Sequence, residues 1–348
     1  MISVGIIGFG RIGAEHSTWL SHTKTIRVVA VADPTSARRR LAEERGLRTV
    51  ERVETLLEDR TIDAVLVATP TAMHFEHVSM ALSAGKHVMV EKPMAMDFPQ
   101  ARALADTAAN ARRVLSVFHN RRWDPDYLAV RAAVASGTLG KLINVESRLG
   151  QFASCVGPAA KEYRPGWRNE GTFGGGGLYD WGSHFIDQLW RLLWPARPLR
   201  VFAQLRGNVW SSDCDDFARV LIDFDHGVAG LVEINTTTAA PLPRWHLDGA
   251  NGSVSSPHSP EFDTNVWAQL RYSPGDAGAD VGPGLPQGGP GLSEEEIWER
   301  FASAARGGEG PPPVTAASVL PTMQLLDAAR RSSREGQAVG IDAREWEY

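Results

Sequence analysis

The chain has 348 residues, which at roughly 100–200 residues per domain suggests two domains. Hydrophobic residues make up 43% and charged residues 22%, so a disordered chain is excluded and a core is affordable in apolar surface. Lys plus Arg is 36 against 41 for Asp plus Glu, and the net charge of −5 gives no global pull toward nucleic acid or anionic lipid.

The first third alternates short apolar strands with helices. Strands are expected at Ile2–Ile7, Ile26–Ala32, Ala64–Ala68, His87–Val90 and Val114–Phe118. They are β-branched without strict alternation, as parallel strands covered on both faces should be. Helices are expected at Arg11–Ser21, Thr35–Arg45, Ala72–Ala84 and Phe98–Asn110, with Gly46 and Gly85 just past two of them. Repeated β-α units predict a doubly wound parallel sheet over residues 1–120.

After about residue 120 the rhythm changes. A helix at Asp126–Ser136 leads to a strand at Leu142–Leu149 and a Gly-rich loop. A helix at Asp180–Leu193 follows, then strands at Leu199–Arg206, Phe217–Asp223, Val228–Thr236 and Trp245–Asp248. Asp225-His226-Gly227 reads as a hairpin turn. Residues 121–348 are therefore expected to form an α+β domain with a large open, mostly antiparallel sheet. From Pro274 to Gly291, 11 of 18 residues are Gly or Pro, which predicts a surface loop. Helices at Glu294–Arg306 and Thr315–Arg334 close the chain, the last one able to pack back toward the first domain.

Two cysteines, Cys155 and Cys214, cannot make a disulfide framework or a four-cysteine zinc site, and no metal is expected. The longest apolar runs are about five residues, against about 20 for a membrane span. The N-terminus has no basic n-region and starts as a buried strand, so a soluble cytoplasmic protein is expected.

Gly8-Phe9-Gly10-Arg11-Ile12-Gly13 joins the first strand to the first helix. The first glycine permits the tight turn, the second lets the backbone approach a pyrophosphate, and the third allows close helix–strand packing. Dinucleotide binding follows. Asp33 ends the second strand 20 residues after Gly13, where a carboxylate accepts from the adenosine ribose and repels a 2′-phosphate. Pro34 after it also fits a helix N-cap role. NAD is favoured over NADP, although Arg38, Arg39 and Arg40 follow closely on a helix whose charges read as solvated.

Ligands of open α/β sheets sit beyond the carboxyl ends of the strands. Thr69 and Pro70 after the strand at Ala64–Ala68, and Glu91 and Lys92 after the strand at His87–Val90, are therefore expected beside the cofactor. His74 opens the next helix, either as a packing or capping group or as a member of this set. Lys92 can donate to a substrate oxygen and depress the pKa of its hydroxyl.

Asp180 and His184 stand four apart on a helix and share a face, with Asp187 and Arg191 continuing it. A plain amphipathic helix with a solvated polar face fits this pattern equally well. The run Gly174-Gly175-Gly176-Gly177 argues against that, because such a loop is costly to order unless its backbone passes close to something such as a nicotinamide or substrate.

The ordered set Gly-Phe-Gly-Arg-Ile-Gly, Ala68-Thr69-Pro70-Thr71, Glu91-Lys92-Pro93 and Asp180-x3-His184 resembles the glucose–fructose oxidoreductase/inositol dehydrogenase (Gfo/Idh/MocA) family. Asn120-Arg121-Arg122-Trp123 and Pro312-Pro313-Val314-Thr315 extend the resemblance over nearly the whole chain, most like the scyllo-inositol dehydrogenase-like branch. The resemblance implies that Lys92, Asp180 and His184 are catalytic, in oxidation of a secondary alcohol of a sugar or cyclitol or reduction of its ketone. An imidazole titrating near ~6.5 suits His184 as proton acceptor. Lys92 would hold the reacting oxygen, Asp180 would orient the hydroxyl or tune the Lys–His pair, and either Lys92 or His184 could take the proton. Arg122, Tyr163, Trp167 and Arg168 are candidate substrate-wall groups.

The family also contains NAD-dependent glycosidases and non-catalytic co-regulators, which are the competing expectations. A small-molecule polyol or sugar is the expected partner. A homodimer or homotetramer formed through the second sheet is expected, because its strands carry apolar residues of both parities, among them Val228, Leu231, Val232 and Ile234 with Ala229 between them; the alternative is a monomer whose loop from Pro274 to Gly291 folds over that face.

Overall fold

The computed structural model describes residues 1–155, 165–259, 261–276, 285–344 and 346. Backbone contacts divide them into two units. One comprises residues 1–120, 156–174 and 292–323; the other comprises 121–155, 175–291 and 324–348.

In the first unit the strands are β1 (Ile2–Ile7), β2 (Ile26–Ala32), β3 (Arg48–Val50), β4 (Ala64–Val67), β5 (His87–Val90) and β6 (Leu115–Val117). All pair in parallel, in the order β3-β2-β1-β4-β5-β6. The helices between them are α1 (Arg11–Ser21), α2 (Ser36–Glu43), α3 (Val53–Leu57), α4 (His74–Ser83) and α5 (Phe98–Ala111). The order reverses at β1 and β4, which makes the carboxyl ends of these strands the crevice where such sheets bind ligands. Every side chain of β4 is buried, as its unbroken Ala-Val-Leu-Val run requires.

The edge strand β6 is covered from far along the chain. Residues 314–316 run antiparallel beside it: Val117 N donates to Val314 O and Ala316 N to Leu115 O. The Ser116 hydroxyl donates to Val314 O at 2.7 Å. The segment after Pro312-Pro313 thus removes an open sheet edge. Helix α9 (Glu294–Ala305) starts with a Ser293/Glu296 capping box and buries Ile297, Trp298, Phe301 and Ala302.

The second unit holds α6 (Pro125–Ala135), α7 (Ser183–Leu193), the short α8 (Thr264–Trp267) and the later part of α10 (Leu320–Glu335). Its strands are β7 (Leu142–Gly150), β8 (Pro198–Arg206), β9 (Phe217–Phe224), β10 (Ala229–Asn235), β11 (Trp245–Gly249), β12 (Gly252–Ser255), β13 (Arg271–Pro274) and β14 (Val339–Gly340). They form one sheet in the order β13-β12-β11-β7-β10-β9-β8-β14, antiparallel except where β10 runs parallel to β7. Asp225-His226-Gly227 makes the β9–β10 turn, with φ of 59° at His226 and 77° at Gly227.

One face of this sheet buries Val145, Val220, Ile222, Val232, Ile234 and Leu247. Helix α7 packs against β7 and β10 on that side. Side chains alternate, so Val232 and Ile234 go into the core while Ala229, Leu231 and Glu233 take the opposite face. There the cross-strand partners Phe202, Leu221 and Leu231 form an apolar row. Ion pairs flank it: Arg219–Glu233 and Arg200–Asp223, each at 2.5 Å. The second face is therefore more charged than the strand sequences alone suggested.

The Gly/Pro-rich segment falls partly outside the described residues. Within its described part, a Cβ on Gly288 would lie 2.7 Å from Ala129 N and one on Gly291 2.4 Å from Trp123 O. Those glycines let the segment lie against α6 and the turn before it.

Candidate active site

The glycine loop has the geometry that a pyrophosphate requires. Gly8 takes φ +89°, and a Cβ there would stand 2.8 Å from Ala68 O. At Gly13 a Cβ would meet Gly8 O at 2.2 Å, so only hydrogen lets α1 close onto the turn. At Gly10, by contrast, a Cβ would meet nothing within 4 Å, and α1 begins there with no side-chain cap. The middle glycine thus faces open space at a helix N-terminus, where N–H groups and the helix dipole favour an anion. Phe9 is fully buried beneath the loop, while Arg11 is exposed and Ile12 half-buried.

Asp33 closes the loop from the neighbouring strand. Its Oδ2 accepts from Phe9 N and its Oδ1 from Thr35 N, both at 2.8 Å. The same carboxylate thus braces both the glycine turn and the turn that leads to α2; the helix itself starts at Ser36 with Thr35 as its N-cap, so the cap role expected for Asp33 beside Pro34 is corrected. Arg38 lies 3.6 Å from Asp33 Oδ2, and Arg39 donates to Asp33 O at 2.8 Å. Two of the three arginines therefore turn back toward Asp33, and only Arg40 of the three is exposed. The solvated-charge reading of this run is corrected for Arg38 and Arg39.

The turns after β4 and β5 lie side by side because their strands pair. Thr69 and Pro70 are half-buried, and the Thr69 hydroxyl is 3.1 Å from His77 Nδ1. His74 is buried with both ring nitrogens against backbone carbonyls: Nδ1 at 2.8 Å from Pro93 O and Nε2 at 2.9 Å from Thr69 O. It sits between the two turns with no nitrogen presented outward, and a neutral ring can donate to only one of the two carbonyls. Burial lowers its pKa, against the opposing pull of the two carbonyls and of Glu91.

Lys92 is half-buried, on a cis bond to Pro93. Glu91 beside it is buried. Burial works to raise the Glu91 carboxyl, but the hydrogen bond from His16, the charge of Lys92 and the Lys92 N–H outweigh it and hold the group below the ordinary carboxylate range.

Asp180 and His184 belong to the second unit. Residues Leu178–Gly182 wind as a π turn that runs into α7. In a π turn the backbone bond spans five residues, so α-helical spacing does not set the common face expected for Asp180 and His184. His184 and Asp187 are buried and Asp180 half-buried, which overturns the alternative of a solvated polar face.

Asp215 holds the start of this helix. Its Oδ2 accepts from Leu178 N at 2.7 Å, while its backbone carbonyl accepts from Gly177 N at 2.9 Å. Burial raises its pKa to about 6. Sequence reasoning missed this residue, because nothing in its own neighbourhood marks it as a cap 37 residues away.

The glycine run also has its explanation within the protein. A Cβ on Gly176 (φ +103°) would lie 2.3 Å from Asp215 Oδ1, and one on Gly177 2.9 Å from Ile234 Cγ2. Gly174, in the first unit, would meet Met96 Sδ and the Thr71 Cβ at 2.8 Å. These close approaches are to protein atoms, where the sequence suggested a nicotinamide or substrate.

Arg122 forms a two-point salt bridge with Asp187, Nε to Oδ2 at 2.7 Å and Nη2 to Oδ1 at 2.8 Å, both residues buried. Next to it Gln188 donates to Arg121 O at 2.5 Å and accepts from Arg244 at 2.6 Å. The Arg121-Arg122 segment is thus docked onto α7. The Arg121 guanidinium lies 4.8 Å from the Trp181 ring centroid and 4.4 Å from that of Phe262. In the first unit, the Arg168 guanidinium stacks over Trp167 at 4.5 Å. Tyr163 lies outside the described residues.

A parallel sheet with a phosphate-ready glycine loop defines a dinucleotide-binding protein. The comparisons agree: residues 2–119 match the profile described as "Oxidoreductase family, NAD-binding Rossmann fold", and residues 127–255 match the GFO/IDH/MocA C-terminal domain. The chain belongs to the Gfo/Idh/MocA family of NAD-binding oxidoreductases. It is similar to the oxidoreductase YdgJ of Escherichia coli, 29% identical with 96% of each chain covered. It is also similar to scyllo-inositol 2-dehydrogenase (NADP(+)) IolW of Bacillus subtilis, 26% identical over 98% of this chain and 96% of that one. Among solved structures, an NAD-binding protein from Listeria innocua superposes with a TM-score of 0.85 at 28% identity, covering 97% of this chain and 96% of that one.

Proposed function

We propose that this protein oxidises a secondary hydroxyl of a sugar or cyclitol, or reduces the matching ketone, with Lys92, Asp180 and His184 as its catalytic residues. The observation that carries the reading is the placement of Lys92, half-buried on the turn after β5, next in the sheet to the strand whose end abuts the glycine loop. The scyllo-inositol 2-dehydrogenase activity of IolW is of this class. When bound, the nicotinamide accepts or supplies the hydride. The chain's own residues manage the proton and the oxygen. Lys92 donates to the reacting oxygen and stabilises its negative charge. His184 takes the hydroxyl proton, and Asp180 orients the hydroxyl. The Trp167–Arg168 stack supplies a flat wall with a cationic edge, suited to a polyol ring.

A screen of inositols and aldoses with NAD and NADP separately tests the reading. Reduction of the cofactor by at least one cyclitol or aldose is expected; no turnover across the panel, with NADH binding intact, would remove it. Asp33 favours NAD, but Arg38 and Arg39 turned toward it leave room for a 2′-phosphate partner. Arg38→Ala is therefore expected to weaken NADPH more than NADH in a fluorescence titration, and equal weakening would detach Arg38 from the ribose.

We further propose assembly into a homodimer or homotetramer through the sheet face that carries Phe202, Leu221 and Leu231. The apolar row between ion pairs is the pattern of a self-complementary surface with an apolar centre and a polar rim. Light scattering is expected to give a multiple of 37.9 kDa, and a mass equal to one chain would refute it.

A further inference from the structure

His16 lies on α1, just past the glycine loop, with its ring fully buried. The ring meets Trp19, Phe118 and Trp298 edge-on, with centroids 4.8, 4.4 and 5.6 Å away. Trp298 Nε1 is 2.9 Å from His16 Nδ1, and His16 Nε2 is 2.8 Å from Glu91 Oε1. An indole N–H can only donate, so Nδ1 must offer a lone pair. The ring proton is then on Nε2 and is donated to Glu91. One tautomer satisfies both contacts, and a doubly protonated ring would set two N–H groups against each other.

The chain of contacts continues into the turn. Glu91 Oε2 accepts the backbone N–H of Lys92 at 3.2 Å. On the other side of Lys92, the Pro93 carbonyl rests against His74 at 2.8 Å. Two buried histidines therefore hold the residues that flank Lys92, and His16 is held in turn by Trp298. All of these residues belong to the first unit.

We propose that Trp298, His16 and Glu91 form a positioning relay that fixes the backbone at Lys92 and with it the approach of the lysine to substrate. The inference rests on the catalytic reading of Lys92. Glu91 is a buried carboxylate, and without a donor at Oε1 such a group takes up a proton or seeks another cation. With His16 neutral, the cation that acts on it is Lys92. Removing the imidazole donor therefore either neutralises Glu91 or draws it onto the lysine, and both displace the group that would hold the substrate oxygen. His16 and Trp298 touch no substrate in this scheme. They act through Glu91.

The test uses the full chain and three variants: His16→Leu, His16→Gln and Trp298→Phe. In the parent, ¹⁵N NMR of the His16 ring should show the Nε2-protonated tautomer, and Trp298→Phe should release that preference. His16→Leu should speed hydrogen exchange at the Lys92 amide and lower kcat about 10- to 100-fold, the scale of a misplaced reacting group. NADH affinity should stay within about twofold, since the glycine loop is untouched. His16→Gln, whose amide can still donate to Glu91, should restore most of the exchange protection and of kcat. An Nδ1-protonated ring in the parent overturns the relay. So does a His16→Leu protein with unchanged kcat and unchanged Lys92 exchange. If His16→Leu does not fold, the tautomer and the Trp298→Phe and His16→Gln proteins decide it. Full turnover in Lys92→Ala would instead remove the catalytic reading, while the tautomer and exchange results would still judge the relay.

Discussion

Replacing Lys92 by Ala is expected to lower turnover by roughly 10²–10⁴-fold on the best substrate of the screen, the usual contribution of a positioned acid–base group. His184→Gln should fall in the same range. Neither side chain builds the glycine loop: the backbone of Gly8–Gly13 and the Asp33 carboxylate make it. NADH binding should therefore persist in both variants, so the loss should appear in kcat rather than in cofactor affinity. Gln is chosen at 184 because His184 is buried, and Ala would add a cavity cost to the chemical one. The expected pattern separates catalysis from folding, since each variant should keep its NADH fluorescence response while turning over slowly. If both retained near-parental kcat, the assignment of the site would be wrong.

The legible part of the fold is the part with local causes. Strands β1, β2 and β5 begin and end where their apolar runs do, and α1 where the glycine loop releases it. Strand β3 could not be read, because its three residues include an exposed Arg48 and its pairing comes from β2. The same holds for β14, two residues that exist as a strand only beside β8.

At the candidate site the shape of the glycine turn was legible: Gly13 answers to Gly8 within the motif and Gly10 to open space, while Gly8 answers to Ala68 at the end of β4. The π turn at Leu178–Gly182 was not, because α spacing is the default reading of Asp180-x3-His184. The residue that holds its first N–H comes from sequence far ahead, at Asp215. The relay behind Lys92 was hidden for the same reason: His16 lies 75 residues from Glu91 and 282 from Trp298. A histidine on the first helix just past a glycine fingerprint was a signal in plain view, but no spacing rule joins it to either partner.

Asp187→Ala is expected to cost about 3–5 kcal/mol of stability, because it leaves the buried Arg122 guanidinium without its carboxylate. The pair is bidentate and both side chains are almost wholly shielded, at 6% and 1% exposure, so water can do little to compensate. The effect should be larger than for the flanking Arg200–Asp223 pair, whose side chains are 65% and 47% exposed and whose loss falls in the range of surface pairs, about 0–1 kcal/mol. Urea unfolding of the full chain measures both. Replacing the two partners together by apolar residues of similar size, Arg122→Met with Asp187→Leu, should recover much of the loss, since it removes the buried charges along with the bond between them. That double variant also separates two roles for Arg122. If the guanidinium serves only to dock its segment on α7, the recovered protein should keep its substrate KM. A double variant that is stable but has lost substrate affinity would support Arg122 as a substrate-wall group. An Asp187→Ala protein within about 1 kcal/mol of the parent would show that the salt bridge does not hold this segment in place.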